Sequence, residues 1–343
     1  MPRALRTPGD RDLSIDVARG VAITLVVLGH NRALSIAWPA LVAAMFLFHV
    51  PLFFLLSGRV LRPEGPLRAV PRLARRLLAP FLLAALLVGA IKCVTRGESV
   101  VGTLSGIAWA TGDTLPWSHL WFLPALFLAL LVTHVLALGV KNNAAGWAVA
   151  ALLAAVAAAL LPMADPVGWP WSFDLLPLCL LFVWSGQALR TSAAAQRAVE
   201  IPAVAVAAAI VFALSLGMAQ ADLNLRVFAP FAWALLAALS GCVLTLALSH
   251  WLSRFTLVAR PLALIGRHTL VIFILHVSLQ KALLVVYLDA SSGESLSQSG
   301  LGILGLVSAA VTIAITLLIS MLADHLMSRH AGPREGAAPS EAR

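Results

Sequence analysis

The sequence predicts an all-α fold, a polytopic membrane protein of about ten transmembrane helices with both termini in the cytoplasm. Three observations predict it. Apolar residues make up 61% of the 343 positions and charged residues 11%, with a mean hydropathy of +0.94; soluble chains average about 45–50% and 25%. Apolar runs of the roughly 20 residues that a bilayer crossing needs recur along the chain. Cations collect in alternate connecting segments, the asymmetry that sets membrane orientation.

In chain order the runs lie near residues 18–36, 42–60, 77–95, 119–138, 145–161, 173–190, 201–219, 227–249, 262–284 and 302–323. The first follows several basic residues, as a signal peptide would, but nine more runs follow it and it reads as an anchor. Arg62-Pro63-Glu64-Gly65-Pro66 separates the second and third runs, and the Ser- and Gly-rich stretch 290–300 separates the last two; both are loop compositions. Residues 1–12 and 329–343 are tails too short to fold alone, the second expected to be disordered, and 13–328 form one membrane domain. The runs share no motif, so the internal repeats of many transporters are not visible.

One set of connecting segments carries Arg59, Arg62, Arg68, Arg72, Arg75 and Arg76, then Lys141, Arg190, Arg197, Arg254, Arg260 and Arg267, as well as the tail cations Arg3, Arg6, Arg11, Arg329, Arg334 and Arg343. The other set and its membrane edge carry Arg32, Lys92, Arg96, Arg226 and Lys281. The positive-inside rule puts the first set in the cytoplasm. The net charge of +9 is therefore topological, and with no basic patch interleaved with aromatics it does not point to nucleic acid. Cys93, Cys179 and Cys242 lie in apolar stretches without metal-ligand or paired spacing, so neither a disulfide framework nor a metal site is expected.

Ionisable side chains inside lipid are costly and mark functional sites. Asp16, Arg19 and His30 belong to the first run. Eleven positions separate Arg19 from His30; at about 100° per residue both fall on one helix face, roughly 16 Å apart along the axis. Arg19 then sits at the cytoplasmic mouth, held by Asp16 three residues earlier, and His30 lies past the midplane. Each has a plainer reading by itself: a snorkelling anchor for Arg19, an interhelical hydrogen bond for His30. His134, His250 and His325 lie near cytoplasmic span ends, where snorkelling suffices. Ser57-Gly58 reads as a close helix approach rather than a nucleophile.

The stretch Ser14-Ile-Asp-Val-Ala-Arg-Gly-Val-Ala-Ile-Thr-Leu-Val-Val-Leu-Gly-His30 resembles the opening of the acyltransferase 3 family of integral membrane acyltransferases, where an Arg and a His with ten residues between them recur. Phe48-His-Val-Pro-Leu-Phe-Phe-Leu-Leu-Ser-Gly58, Arg75-Arg-Leu-Leu-Ala-Pro80, His119-Leu-Trp-Phe-Leu-Pro-Ala-Leu126 and Ile265-Gly-Arg-His-Thr-Leu-Val-Ile-Phe-Ile-Leu-His276 resemble its later motifs, with Phe273 where the family usually has Tyr. The mid-chain motif of members with a fused esterase-like domain is missing, which likens the chain to the stand-alone branch of sugar O-acetyltransferases.

The resemblance implies transfer of an acyl group, most often acetyl from cytoplasmic acetyl-CoA, to a carbohydrate or glycan hydroxyl at or across a bacterial inner membrane. In that reaction His30 serves as general base or transient acyl carrier. Arg72, Arg75 and Arg76, alongside Arg19, are the expected phosphate-binding group for acyl-CoA, since the guanidinium fork pairs with phosphate. His49, His119, Trp121 and His276 are expected in the substrate cavity. Trp38, Trp109, Trp117, Trp121, Trp169 and Trp171 suit an interfacial belt or a sugar platform, and Asp113, Asp165 and Asp174 on the same side could hydrogen-bond sugar hydroxyls, with nothing in their spacing to single them out. No metal is expected, membrane lipid is the one other partner, and the oligomeric state stays open. The rival reading is a proton-coupled transporter of a small metabolite.

Overall fold

The computed structural model describes residues 12–140, 143–290 and 297–330. Most of both expected tails, with Arg3, Arg6, Arg11, Arg334 and Arg343, lies outside the described residues, as do Lys141 and much of the loop after Ala290.

The described residues form a helical membrane protein with one small hairpin. Its helices are α1 (Leu13–Gly29), α2 (Arg32–Ala37), α3 (Pro39–Phe46), α4 (His49–Val60), α5 (Pro66–Leu73), α6 (Ala79–Arg96), α7 (Val100–Trp109) and α8 (Phe122–Gly139). They continue with α9 (Asn143–Leu160), α10 (Leu176–Thr191), α11 (Ala193–Glu200), α12 (Pro202–Ser215), α13 (Phe231–Leu252), α14 (Thr256–Arg267), α15 (Thr269–Ala290) and α16 (Gln298–His330). Among the described residues, seven helical stretches are long and apolar enough to cross a membrane, or nine if each of two sharply bent pairs is one span. The expected first run is represented by α1, which at 17 residues is shorter than those seven.

The differences from ten uninterrupted runs have local causes. Helix α1 stops at Gly29 because the next residues cap it: the His30 N–H donates to the Val26 carbonyl, and the Asn31 side chain accepts from the Leu34 N–H to start α2. Pro39 opens α3, and α4 restarts at His49. The run expected at 262–284 bends by 81° between α14 and α15, and α11 meets α12 at 78° just before Pro202. Residues 227–229, expected inside a span, form strand β2 (Val227–Ala229), paired antiparallel with β1 (Gln220–Asp222) in the register Ala221↔Phe228.

The core runs through α1, α4, α8, α10 and α13, where Ile23, Leu52, Phe54, Leu123, Phe182 and Ala238 are buried. Glycines set the closest approaches. A Cβ on Gly58 would collide with the Val183 carbonyl and one on Gly186 with the Leu55 carbonyl, so α4 and α10 touch backbone to backbone. Gly20 and Gly266 do the same for α1 and α14, facing the carbonyls of Leu262 and Asp16.

Two ends follow from this packing. His30 closes α1 beside His49, which opens α4, so the two helices run in opposite directions. Helix α8 ends near the end of α4, where the Glu64 N–H donates to His134 Nδ1, and α10 ends there too, with Gln187 Nε2 donating to the Leu61 carbonyl. This end, which also holds the start of α1, is the Arg-rich end; the opposite end carries the hairpin.

Candidate active site

The end of α1, the start of α4, the turn Ser118–Trp121 before α8 and the middle of α15 bring four imidazoles together. Ring centroids lie 6.1 Å apart for His30 and His49, 5.2 Å for His30 and His276, and 5.0 Å for His119 and His276. These residues are spread over some 250 positions of sequence, and the fold makes them one cluster.

Backbone carbonyls dictate how the rings present themselves. Nδ1 of His30 lies 2.9 Å from the Val26 carbonyl, that of His49 2.8 Å from Met45 and that of His276 2.7 Å from Phe273. A carbonyl only accepts, so each Nδ1 carries the proton and donates, leaving the Nε2 lone pair as the acceptor. His119 is turned the other way, with Nε2 3.4 Å from the Ile274 carbonyl. His49 Nε2 and His276 Nε2 are buried without a hydrogen-bond partner among the described residues. Buried acceptors call for a donor such as a hydroxyl. His30 differs because its ring is exposed to open space.

That space consists of two cavities. The first, about 230 Å³, is bounded by His30, His49, His119, Phe46, Trp121, Phe122, Phe273 and the hairpin residues Asp222, Leu223 and Asn224. The second, about 220 Å³, is bounded by His30, Asn31, Arg32, Gln280, Lys281 and Ser308 with apolar walls from α15 and α16. His30 is the residue that lines both.

The hairpin roofs the first cavity, and a buried ion pair anchors it. Arg226 Nε lies 3.1 Å from Asp174 Oδ2, with both side chains nearly sealed from solvent at 3% and 4% exposure. The guanidinium packs into the space that a side chain at Gly168 would fill, and Asn224 packs likewise against Gly112. Within the hairpin, Asp222 Oδ1 accepts from the backbone N–H groups of Asn224 and Leu225. Burial pushes the Asp222 carboxyl above its ordinary value. Asp174, expected as a sugar contact, is therefore committed to Arg226. Trp109 and Trp171 are latches, donating to the carbonyls of Gly168 and Ala108.

The other expected site residues lie at the Arg-rich end. Asp16, nearly buried, has Arg19 Nη1 at 4.0 Å and Arg267 Nε at 3.4 Å. Arg19 borders neither cavity; it stands eleven residues from His30 along α1, roughly 16 Å of rise. Arg72 pairs with Glu64 at 2.7 Å, and Arg75 and Arg76 are exposed in the π-helical turn Ala74–Leu78. Among the described residues, no group of three or more His, Cys, Asp or Glu side chains is arranged to hold a metal ion.

Sequence reasoning missed Asp222, Asn224, Arg32, Gln280 and Lys281. One signal was legible: Asp222-Leu-Asn224-Leu-Arg226 is a polar alternation between two apolar runs. For Gln280 and Lys281 there was none beyond their position in an apolar run.

A family model described as an acyltransferase domain matches residues 12–325. The chain is similar to nodulation protein NolL of Mesorhizobium japonicum (strain LMG 29417 / CECT 9101 / MAFF 303099), 26% identical over 211 residues, covering 51% of this chain and 54% of that protein. It is also similar to nodulation protein NolL of Sinorhizobium fredii (strain NBRC 101917 / NGR234), 32% identical over 166 residues, covering 45% of this chain and 43% of that protein. The chain thus spans about half the length of the curated relatives it matches. No solved structure matches.

Proposed function

We propose a reaction for this chain from one premise: it belongs to the acyltransferase 3 family, whose model spans residues 12–325. It is a membrane acyltransferase; our reading is that it moves an acyl group, acetyl in the first instance, from cytoplasmic acyl-CoA to a hydroxyl of a carbohydrate or glycan acceptor.

The observation that carries this reading is the presentation of His30. Its Nδ1–H is occupied by the Val26 carbonyl, and the ring borders two cavities, so Nε2 is the nitrogen left to react. In the direct course Nε2 takes the proton of the acceptor hydroxyl as the oxygen attacks the thioester carbonyl carbon. The tetrahedral adduct collapses, the carbon–sulfur bond breaks, and the CoA sulfur leaves with the proton returned by the imidazolium. In the covalent course the same Nε2 holds the acyl group between two such transfers. The surrounding His49, His119 and Trp121 border the first cavity, the buried lone pair of His49 is an acceptor for a further hydroxyl proton, and His276 borders neither cavity but packs against the rings of His30 and His119.

Arg19, steadied by Asp16, and the exposed Arg75 and Arg76 with Arg72 suit the phosphates of CoA at the Arg-rich end, which the positive-inside rule turns to the cytoplasm. A bacterial inner membrane is the setting in keeping with the bacterial relatives. The test is transfer of label from acetyl-CoA by the purified protein in lipid nanodiscs, with His30→Ala as the control. Loss of transfer with an unchanged melting curve supports the reading, and retention by the variant sinks it. Label that stays on the protein when acceptor is omitted identifies the covalent course.

A further inference from the structure

The second cavity differs from the first in charge. Arg32 and Lys281 both line it, no acidic residue does, and neither cation has an ion-pair partner among the described residues. The first cavity has Asp222 as its charged wall. The two meet at His30.

We propose that the second cavity seats an oxyanion, phosphate or carboxylate, carried by the acceptor close to the hydroxyl that is acylated. This rests on the reading of His30 as the reacting residue and names the acceptor's chemistry. Arg32 and Lys281 are both exposed at the rim of this cavity, so their charged heads are free to turn to a ligand, and a guanidinium and an ammonium on one cavity gain most from a compact oxyanion. Gln280 adds the second requirement. Its Nε2 is spent on the Val27 carbonyl at 2.8 Å, while Oε1 is buried without a partner among the described residues. That acceptor needs an O–H donor, which an oxyanion lacks and a neighbouring sugar hydroxyl provides. Asn31 is already consumed, donating to the Gly305 carbonyl and Ser308 Oγ while accepting from Leu34 N–H, so it holds the wall and leaves the ligand to Arg32, Lys281 and Gln280.

The phosphates of CoA do not suit this place. The pantetheine arm holds them far from the thioester, whereas Arg32 and Lys281 border the very cavity that reaches the His30 ring. An anion there belongs to the molecule whose hydroxyl is next to Nε2. In the first cavity, Asp222 offers an oxyanion no cationic partner.

The probes are dodecyl glucoside 6-phosphate and uncharged dodecyl glucoside, with thermal unfolding of the full-length protein in phosphatidylcholine nanodiscs as a readout that needs no turnover. The phosphate is expected to raise the unfolding midpoint of the wild type and of His30→Ala alike, and the uncharged glucoside much less. Half-saturation should weaken by tenfold or more in Arg32→Gln and in Lys281→Gln, and hold within about threefold in the charge-retaining Lys281→Arg. Equal binding of both glucosides, or undiminished phosphate binding in the two Gln variants, overturns the proposal. So does weakened acetyl-CoA binding in those variants with the phosphoglucoside unaffected, which makes the cavity the donor's. If phosphatidylglycerol in the nanodisc reproduces the shift and competes with the probe, the site is for lipid headgroups and the proposal also falls. Loss of transfer in His30→Ala is scored separately, so a failure of the base reading is distinguishable from a failure here.

Discussion

The two ends of α1 keep their polar groups by opposite means. At the Arg-rich end, charge is set against charge: Asp16 faces Arg19 and Arg267, whose side chains are 24% and 47% exposed. At the other end His30, His49 and His276 are tied as N–H donors to backbone carbonyls, leaving bare acceptors that carry no charge. Near the interface water shares the cost of an ion, so loose pairs suffice. Within the apolar region a neutral group bonded to its own helix is cheaper, and it keeps a lone pair free for chemistry. One nearly sealed charged pair does occur at the histidine end, Arg226 with Asp174.

The sharpest way to break this contrast is at His30. His30→Ala is expected to lower acyl transfer by about 10²–10⁴-fold, the usual worth of a positioned proton acceptor, with the melting temperature nearly unchanged because the ring already opens on cavities. Equal losses of rate and stability would make the imidazole a packing group.

The Arg–Asp contacts at the two ends offer the next comparison. Asp174→Ala strands a buried guanidinium and should cost about 3–5 kcal/mol, seen as a lowered unfolding midpoint and faster amide exchange across Gln220–Ala229. A loss under about 1 kcal/mol would show that the hairpin is held by other contacts. At the Arg-rich end the glycine contact matters more than the ions. Gly266→Leu pushes α14 away from the Asp16 carbonyl, with an expected cost of about 1–3 kcal/mol from overpacking, read by thermal unfolding. Arg267→Gln should have the smallest effect, at most about 1 kcal/mol once screening is allowed for. Its signature is a severalfold higher KM for acyl-CoA with kcat retained, and a fall in kcat instead would carry the Arg-rich end into the chemistry itself.

Legibility varied with the range of the interaction involved. The helical membrane class and its apolar runs were plain, because burial in lipid acts on each run separately. His30, His49, His119 and His276 were each conspicuous as imidazoles in apolar surroundings, and the resemblance to family motifs tied them together. Strand β2 was not legible: Val227-Phe228-Ala229 reads as the start of the following apolar run, and only its pairing with Gln220–Asp222 makes it a strand. The bend at His268 was hidden for a similar reason, since Gly266 looks like any small residue in a span until α1 packs on it. Arg32 and Lys281 looked like flanking charges, and nothing local relates two residues so far apart.

By itself the sequence determined the solvent in which this protein folds, the helical secondary structure that lipid demands, the family and the residue types available for its chemistry. Lipid cannot satisfy backbone groups, so a continuous apolar run that crosses it becomes a helix. The tertiary structure decided where the run at 262–284 bends, that Val227–Ala229 pairs as a strand, and that two cavities meet at His30. Those are properties of side chains brought together from distant positions, and they exist only once glycine-lined contacts have set the helices at their final distances.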